Sequence, residues 1–495
     1  MRQLFDSMER HASEAGELIA VSDPHGQLSR RELFARVTSL AADLIKGQPR
    51  TIGIYAPNGI GWVIAQLACA FAGKIVVPLP TFFSASQLGH VARDASIELI
   101  LASEQTAAPA VQSGLPTHVI DIHRAGAGLP DVVDGFGQII YTSGSTGQPK
   151  GVRHQSGQIA WSAAALASAT AASATDTYLS VLPLPLLLET ICSIFIPASL
   201  GAYVHFDTGL AERIGRGDAT GIAKTFEIQR PSTSVLVPQL LKHWVAELQS
   251  VGLAAPSSLR FVAVGGAPVP GQIANAAWRL GIPVHEGYGL SECCSVVTLN
   301  HPKERRPGTV GQALSGLSVS IDEGEIVVDG PSITDGYLGQ GSANRPWRTG
   351  DLGEIDRDGF VTVHGRKDSL IVTSFGRNIS PEWIETMLLG DPRIALCTVA
   401  GHGEPCLTVL LIPSAQGAAW FATAGRADIL DLLSDCCSDA PEYAVPRAYV
   451  IVSFEQALNH QLLSNGRPVR KNIAKFILES AAASRTPLLP TSLPI

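Results

Sequence analysis

Charge is scarce in this chain, and what there is does not gather. Only 16% of the 495 residues are Asp, Glu, Lys or Arg, against 45% hydrophobic, a balance that excludes a disordered chain and points to well-packed domains. There is no long basic run and the formal net charge is −8, so the electrostatic footprint of a nucleic-acid binder is missing. The eight cysteines include the adjacent pairs Cys293/Cys294 and Cys436/Cys437 but no C-x-x-C spacing. Neither a metal cluster nor a disulfide framework finds support, and a reducing cytoplasm suits such a chain. The N-terminal stretch MRQLFDSMERHASEAGEL is charged throughout and lacks the apolar core of a secretory signal, so export is not expected. An uninterrupted membrane span is lacking too. The most apolar stretch, 181–200, is broken by Pro183, Pro185, Glu189 and Pro197; it reads as buried interior, which leaves only peripheral membrane contact open.

What is present is a repeated strand–helix grammar. Thr51 to Tyr55 reads as a buried strand, Gly61 to Ala72 as a helix with Val63, Leu67 and Phe71 on one face, and Ile75 to Leu79 as the next strand. Ile97 to Leu101 and His118 to Ile122 continue the short β-branched runs, which predicts a parallel sheet flanked by helices. After Phe261 to Val264 the pattern changes to hairpins: Leu317 to Ile321 and Glu325 to Val328 around Glu323-Gly324, then Gly353 to Ile355 and Phe360 to Val363 around Asp358-Gly359. A smaller α+β unit follows, with strands at Ile394 to Ala400 and Leu407 to Ile412. The expected fold class is therefore α/β: a large N-terminal domain, 1–366, of mainly parallel, helix-flanked sheets plus a β-rich subdomain. A small mobile α+β domain, 367–485, and a Pro-rich tail, 486–495, complete the chain.

The strongest local signal follows the strand Gln138 to Thr142: Tyr141-Thr142-Ser143-Gly144-Ser145-Thr146-Gly147-Gln148-Pro149-Lys150-Gly151. Glycines let backbone N–H groups approach phosphate oxygens, hydroxyls add donors, and Lys150 supplies charge for a leaving pyrophosphate. Pro149 stands before Lys150 where the common P-loop requires Gly, which counts against a kinase or GTPase.

This loop resembles the phosphate loop of the adenylate-forming superfamily, which comprises acyl- and aryl-CoA synthetases, nonribosomal-peptide adenylation domains and luciferases. The resemblance continues in order through Gly265-Gly266-Ala267-Pro268, Tyr288-Gly289-Leu290-Ser291-Glu292, Thr349-Gly350-Asp351, Gly365-Arg366-Lys367-Asp368 and Ser464-Asn465-Gly466-Arg467. It implies that ATP and a carboxylic acid give an acyl-AMP, with Mg²⁺ as cofactor, and that the acyl group then passes to a thiol. By the same resemblance, Thr142 through Gly147, Gly266, Ala267 and Gly289 line the nucleotide site. Tyr288 stacks on adenine, Ser291 donates to phosphate, and Glu292 holds Mg²⁺. Asp351 accepts the ribose hydroxyls, Arg366 reaches ribose or phosphate, Asp368 is a hinge, and Gly376 lines the thiol's path. Where the family has a C-terminal lysine after Asn-Gly, this chain has Arg467, so either Arg467 or, in its stead, Lys471 bridges carboxylate and phosphate, or adenylation is slow. Arg is planar and forked, so the exchange is not neutral.

The segment matching the acyl wall, 182–189, is mostly apolar, which disfavours an amino-acid ammonium; Glu189 is expected to pack or cap rather than pair with substrate. Gly265 and Gly266 leave room for a tunnel, and Phe82, Phe83, Leu187 and Ile194 are its expected apolar lining. Together these favour a medium- or long-chain fatty acid, with an aromatic acid as runner-up. Coenzyme A is the expected acceptor and a separate acyl carrier protein the alternative. A reading from another class is a nucleotide- or acyl-binding relative that turns over weakly, motivated by Arg467.

Overall fold

The strand Thr51–Tyr55 is buried at every position, as a central parallel strand covered on both faces must be. In the computed structural model, which describes residues 1–126, 130–143, 149–464 and 467–483 but not the side chains of 143, 149, 464, 467 and 481–483, it lies inside a six-stranded sheet. The strand order is Thr117–Val119, Leu99–Ala102, Thr51–Tyr55, Ile75–Pro78, Gly137–Ser143, Pro149–Gln155. The first five are parallel and the last pair is antiparallel. The helix Ile60–Phe71 is apolar almost all round and buried along its length, Gln66 included, so it is an interior helix rather than an amphipathic cover.

A second, nine-stranded sheet carries the motifs at 265–268 and 288–292. Its parallel centre is Ile19–Asp23, Tyr203–Phe206, Thr177–Ser180, Thr233–Leu236, Phe261–Val264 and Val284–Leu290. Ser295–Leu299 then turns back antiparallel on Val284–Leu290. The hairpin Ser318–Asp322/Glu325–Asp329 has Glu323 at φ 50° and Gly324 at φ 78°. Two consecutive left-handed residues are what a two-residue type I′ turn demands.

Two units emerge, each with its own core: Met1–Val269 with Ala274–Thr349 and Glu354–Thr362, and a second from Pro270–Ile273, Gly350–Gly353 and the chain after Val363. In the second, Thr408–Pro413 sits between Ile394–Ala400, antiparallel, and Ala448–Ile451, parallel. Its alternate residues serve two cores: Val409 and Leu411 pack with Ile384, Leu388 and Leu433, while Leu410 and Ile412 pack with Ile473 and Ile477. That division follows from the two-residue period of a strand with helices on both faces.

The mixed α/β architecture agrees with the sequence pattern, and one detail departs from it. The expected strand His118 to Ile122 ends at Val119, because Asp121 accepts the backbone N–H of His123 at 2.8 Å and turns the chain. The apolar stretch 181–200 is mostly buried, as its sequence suggests. It folds as Leu187–Thr190, a π-turn at Ile191–Phe195 and Ile196–Leu200, with Pro197 in the first turn of the last piece. Among the described residues no helix is long and apolar enough to cross a membrane.

Candidate active site

The phosphate-loop segment joins two antiparallel strands. Thr142 pairs with Lys150 and Ser143 with Pro149, so strand register fixes Lys150 opposite Thr142. Gly144, Ser145, Thr146 and Gly147 lie outside the described residues. The strand before the loop is tied down by Tyr141, whose hydroxyl donates to Asp94 Oδ2 at 2.6 Å; burial first, and that carboxylate second, push its pKa up. Beyond the loop, a Cβ on Gly151 would stand 2.8 Å from Ile139 and 3.3 Å from the Tyr141 ring, so glycine there is a packing requirement. His154 pairs with Gln138 across the strands and is 2% exposed. Burial lowers its pKa to about 4, so at neutral pH it is an uncharged support beneath the site.

The free edge of Pro149–Gln155 is covered by the segment 334–338. Leu338 N–H donates to the Gly151 carbonyl at 2.7 Å, and Arg153 N–H to the Gly336 carbonyl at 3.0 Å. Val152 and Tyr337 form a β-bridge. Tyr337 thereby comes to lie under Lys150, with the ammonium 5.6 Å from the ring centroid, within cation–π range. Its hydroxyl donates to Glu292 Oε1 at 2.7 Å.

Glu292 sits in the 3₁₀ turn Ser291–Cys293 that ends the strand Val284–Leu290. That strand is anchored at its buried start. Glu286 accepts from Arg305 Nε at 3.2 Å and Nη2 at 2.9 Å, while Arg305 lies 4.9 Å from the Trp278 ring centroid. His285 stacks on Phe261 at 4.5 Å, its pKa lowered to about 4 by burial and then by the Arg305 charge. Tyr288 follows, half-buried, paired with Thr298. A Cβ on Gly289 would fall 1.8 Å from the Ser295 carbonyl oxygen, so only glycine lets the chain fold back this closely. Cys294 and Ser295 take positive φ of 52° and 91°, the cost of turning immediately after Ser291 and Glu292.

Gly266 has φ +82° and, like Ala267, is exposed. Gly265 corrects an expectation: a Cβ there would meet the Gly287 carbonyl oxygen at 2.9 Å, so its missing side chain admits a neighbouring strand rather than opening a tunnel. The expected acyl lining does not gather in one place either. Phe82 is 47% exposed and borders a cavity of about 210 Å³ with Pro183, Pro185 and Arg216, whereas Ile194 lines a separate small pocket with Met8 and Leu33. Leu187 is buried, and Phe83 packs on the core of the first sheet. Glu189 is fully buried and accepts the Tyr178 hydroxyl at 3.0 Å. Burial raises its pKa to about 8, which makes it an interior acid with a packing role.

In the second unit, Asp351 is 7% exposed and Arg366 Nη1 donates to its Oδ1 at 3.2 Å. A Cβ on Gly350 would come within 3.3 Å of Arg366 Nη2, so the glycine before Asp351 makes space for that guanidinium. Asp368 lies exposed in the turn Lys367–Ser369. Gly376 has φ +71° and a Cβ there would meet open space; in this arrangement its backbone, not crowding, calls for glycine. The Arg467 backbone pairs with Ser464 and its side chain is outside the described residues. Lys471 is exposed at the start of Arg470–Ala483, whereas Arg470 is engaged by Glu385 at 2.7 and 2.6 Å.

Sequence reasoning missed Tyr337, which no motif contains. Its only sequence signal is a lone aromatic after Gly336 in a turn-rich stretch. Among the described residues no group of three or more His, Cys, Asp or Glu side chains could enclose a metal. A lone half-buried carboxylate such as Glu292 nevertheless fits Mg²⁺, which typically takes one or two carboxylates and completes its shell with water and substrate phosphates.

Comparison with known proteins agrees with these features. A model of the AMP-binding enzyme family matches residues 8–338, and one of the AMP-binding enzyme C-terminal domain matches 368–475. The chain belongs to the AMP-binding enzyme family, within the adenylate-forming superfamily that the ordered motifs resemble. It is 28% identical over 428 residues to a 2-succinylbenzoate–CoA ligase of Bacillus licheniformis, covering 81% of this chain and 85% of that one. It is also 28% identical over 449 residues to an indoleacetate–CoA ligase of Aromatoleum aromaticum, with 81% and 85% covered. To a long-chain-fatty-acid–CoA ligase of Mycobacterium bovis it is 25% identical over 434 residues, with 72% of each covered. The fold is shared with o-succinylbenzoate CoA synthetase of Bacillus subtilis in complex with its acyl-adenylate intermediate, at TM-score 0.77 and 23% identity over 94% of this chain and 97% of that one.

Proposed function

We propose that this protein is an ATP-dependent acid–CoA ligase acting in two half-reactions. A carboxylate oxygen attacks the α-phosphorus of ATP, the bond to the β-phosphate breaks, and pyrophosphate leaves. The thiol sulfur of coenzyme A then attacks the acyl carbon, forming a thioester as AMP departs and the thiol proton is lost. Mg²⁺, when bound, neutralises charge on the phosphate oxygens. The chain's own residues divide the remaining work. Lys150 balances the leaving pyrophosphate, Ser291 donates to the phosphate, Glu292 holds the ion, Tyr288 packs on the base, and Asp351 with Arg366 takes the ribose. Arg467 bridges the acyl carboxylate and the phosphate, and the C-terminal unit reorients about Asp368 between the two steps.

What carries this assignment is the shared tyrosine: a cation from the phosphate-loop strand and a carboxylate from the Ser291–Cys293 turn meet on Tyr337, in a family of AMP-binding enzymes. We favour an aromatic acid over the fatty acid that the apolar wall suggested. Relatives named for 2-succinylbenzoate and indoleacetate match over four-fifths of the chain, and Phe82 and Ile194 line different cavities. The test is acid-dependent exchange of pyrophosphate into ATP across a panel of aryl and fatty acids, followed by thioester formation with CoA or a carrier's pantetheine arm. Exchange with an aryl acid and transfer to CoA are expected. Exchange with no acid at all, or ATP cleavage only between the β and γ positions, would overturn the assignment. Lys150→Ala should lower the exchange rate by about 100-fold, the typical loss when one charge-stabilising group is removed.

A further inference from the structure

Tyr337 touches both charged groups on which the proposed reaction depends, and buried residues precede it. Its neighbours Ser332, Ile333 and Thr334 are at most 1% exposed. Thr334 N–H donates to the Glu292 carbonyl at 2.8 Å, and its hydroxyl donates to the Arg153 carbonyl at 2.6 Å. Trp347 meets the Tyr337 ring edge-on at 6.2 Å. One short segment thus stitches the turn bearing Glu292 to the strand bearing Lys150, with the phenol between the two charges. Lys150 meets the face of the ring and Glu292 its hydroxyl, although opposite charges on one residue would gain by collapsing together.

We infer that Tyr337 is a positioning residue for the metal–nucleotide complex: its hydroxyl orients the Glu292 carboxylate toward the ion, and its ring keeps Lys150 from neutralising that carboxylate. The spacing leaves the anion for the metal and the cation for the phosphates. A phenol suits both duties, because it donates one hydrogen bond from its edge and offers a negative face to an ammonium. Partners that orient a metal ligand in this way are typically worth ten- to a hundredfold in metal affinity.

This role rests on the ligase assignment, and the experiment separates the two. Free Mn²⁺ is measured by electron paramagnetic resonance with saturating α,β-methylene-ATP, and affinity for the analogue alone is measured by calorimetry without metal. Tyr337→Phe keeps the ring and removes the hydroxyl. It should weaken Mn²⁺ binding roughly tenfold while metal-free affinity for the analogue stays within about twofold, and the Mg²⁺ needed for half-maximal pyrophosphate exchange should rise in parallel. Tyr337→Leu also removes the spacer and should lower metal-free affinity as Lys150 folds onto Glu292. Unchanged Mn²⁺ binding in Tyr337→Phe overturns the role and leaves the ligase assignment standing. An equal loss of metal-bound and metal-free affinity in that variant also overturns it, since general loosening would explain both. A parent protein that binds neither form of the analogue overturns the ligase assignment and this role with it.

Discussion

Single residues in this protein reveal their duties through the company they keep. Glu189 sits in the segment that resembles an acyl wall, yet it is fully buried with Tyr178 as hydrogen-bond donor. Its pKa rises from 4.5 to about 8 through burial. A carboxyl held protonated by the fold contributes stability that is complete below about pH 4.5 and is lost as pH climbs through about 8. Glu189→Gln keeps the shape and the acceptor for Tyr178 but carries no proton to lose. Melting temperature followed from about pH 5 to 8.5 should therefore fall for the parent by several degrees more than for the variant. Parallel curves would mean that Glu189 is ionised inside the fold.

At the scale of elements, glycine at the junctions decides what can be built. Gly289 lets the chain reverse within contact of Ser295, and that reversal is what presents Ser291 and Glu292. Gly289→Ala should lower stability by at least the 1–3 kcal/mol typical of overpacking, read by urea denaturation, and should weaken ATP binding in the protein that still folds. An alanine variant as stable as the parent would show that the turn can open without cost. Elements of this kind were largely legible beforehand. The parallel strands, the Glu323-Gly324 hairpin and the strand entering the phosphate loop announce themselves through β-branched runs and turn residues close together in sequence. The stretch 181–200 was legible only as buried, because an apolar run without a clear period does not distinguish strand from short helices. Tyr337 was not legible at all, since its partners come from two distant segments that only the tertiary fold assembles. The expected acyl lining failed for the same reason: the fold sends Phe82 and Ile194 to separate cavities and Phe83 to the core of the first sheet.

At the scale of the whole molecule, the chain folds as two units with separate cores, and the proposed mechanism asks for a different arrangement in each half-reaction. If Gly376 lines the path of the thiol in the second arrangement, Gly376→Trp should spare pyrophosphate exchange and slow thioester formation by about tenfold or more. The positive φ of Gly376 makes Gly376→Ala the necessary control, because it carries the backbone strain without the bulk. Equal loss of both half-reactions in the Trp variant, or the same thioester defect in the Ala variant, would remove Gly376 from that path. A different consequence follows from the way Lys150 is mounted. It belongs to a strand paired on one side with Gly137–Ser143 and covered on the other by residues 334–338, so its address is written in the sheet and not in the glycine-rich link before it. If residues 144–148 grip the nucleotide as their resemblance implies, exchanging them for other compositions should retune that grip while the sheet keeps Lys150 opposite Thr142.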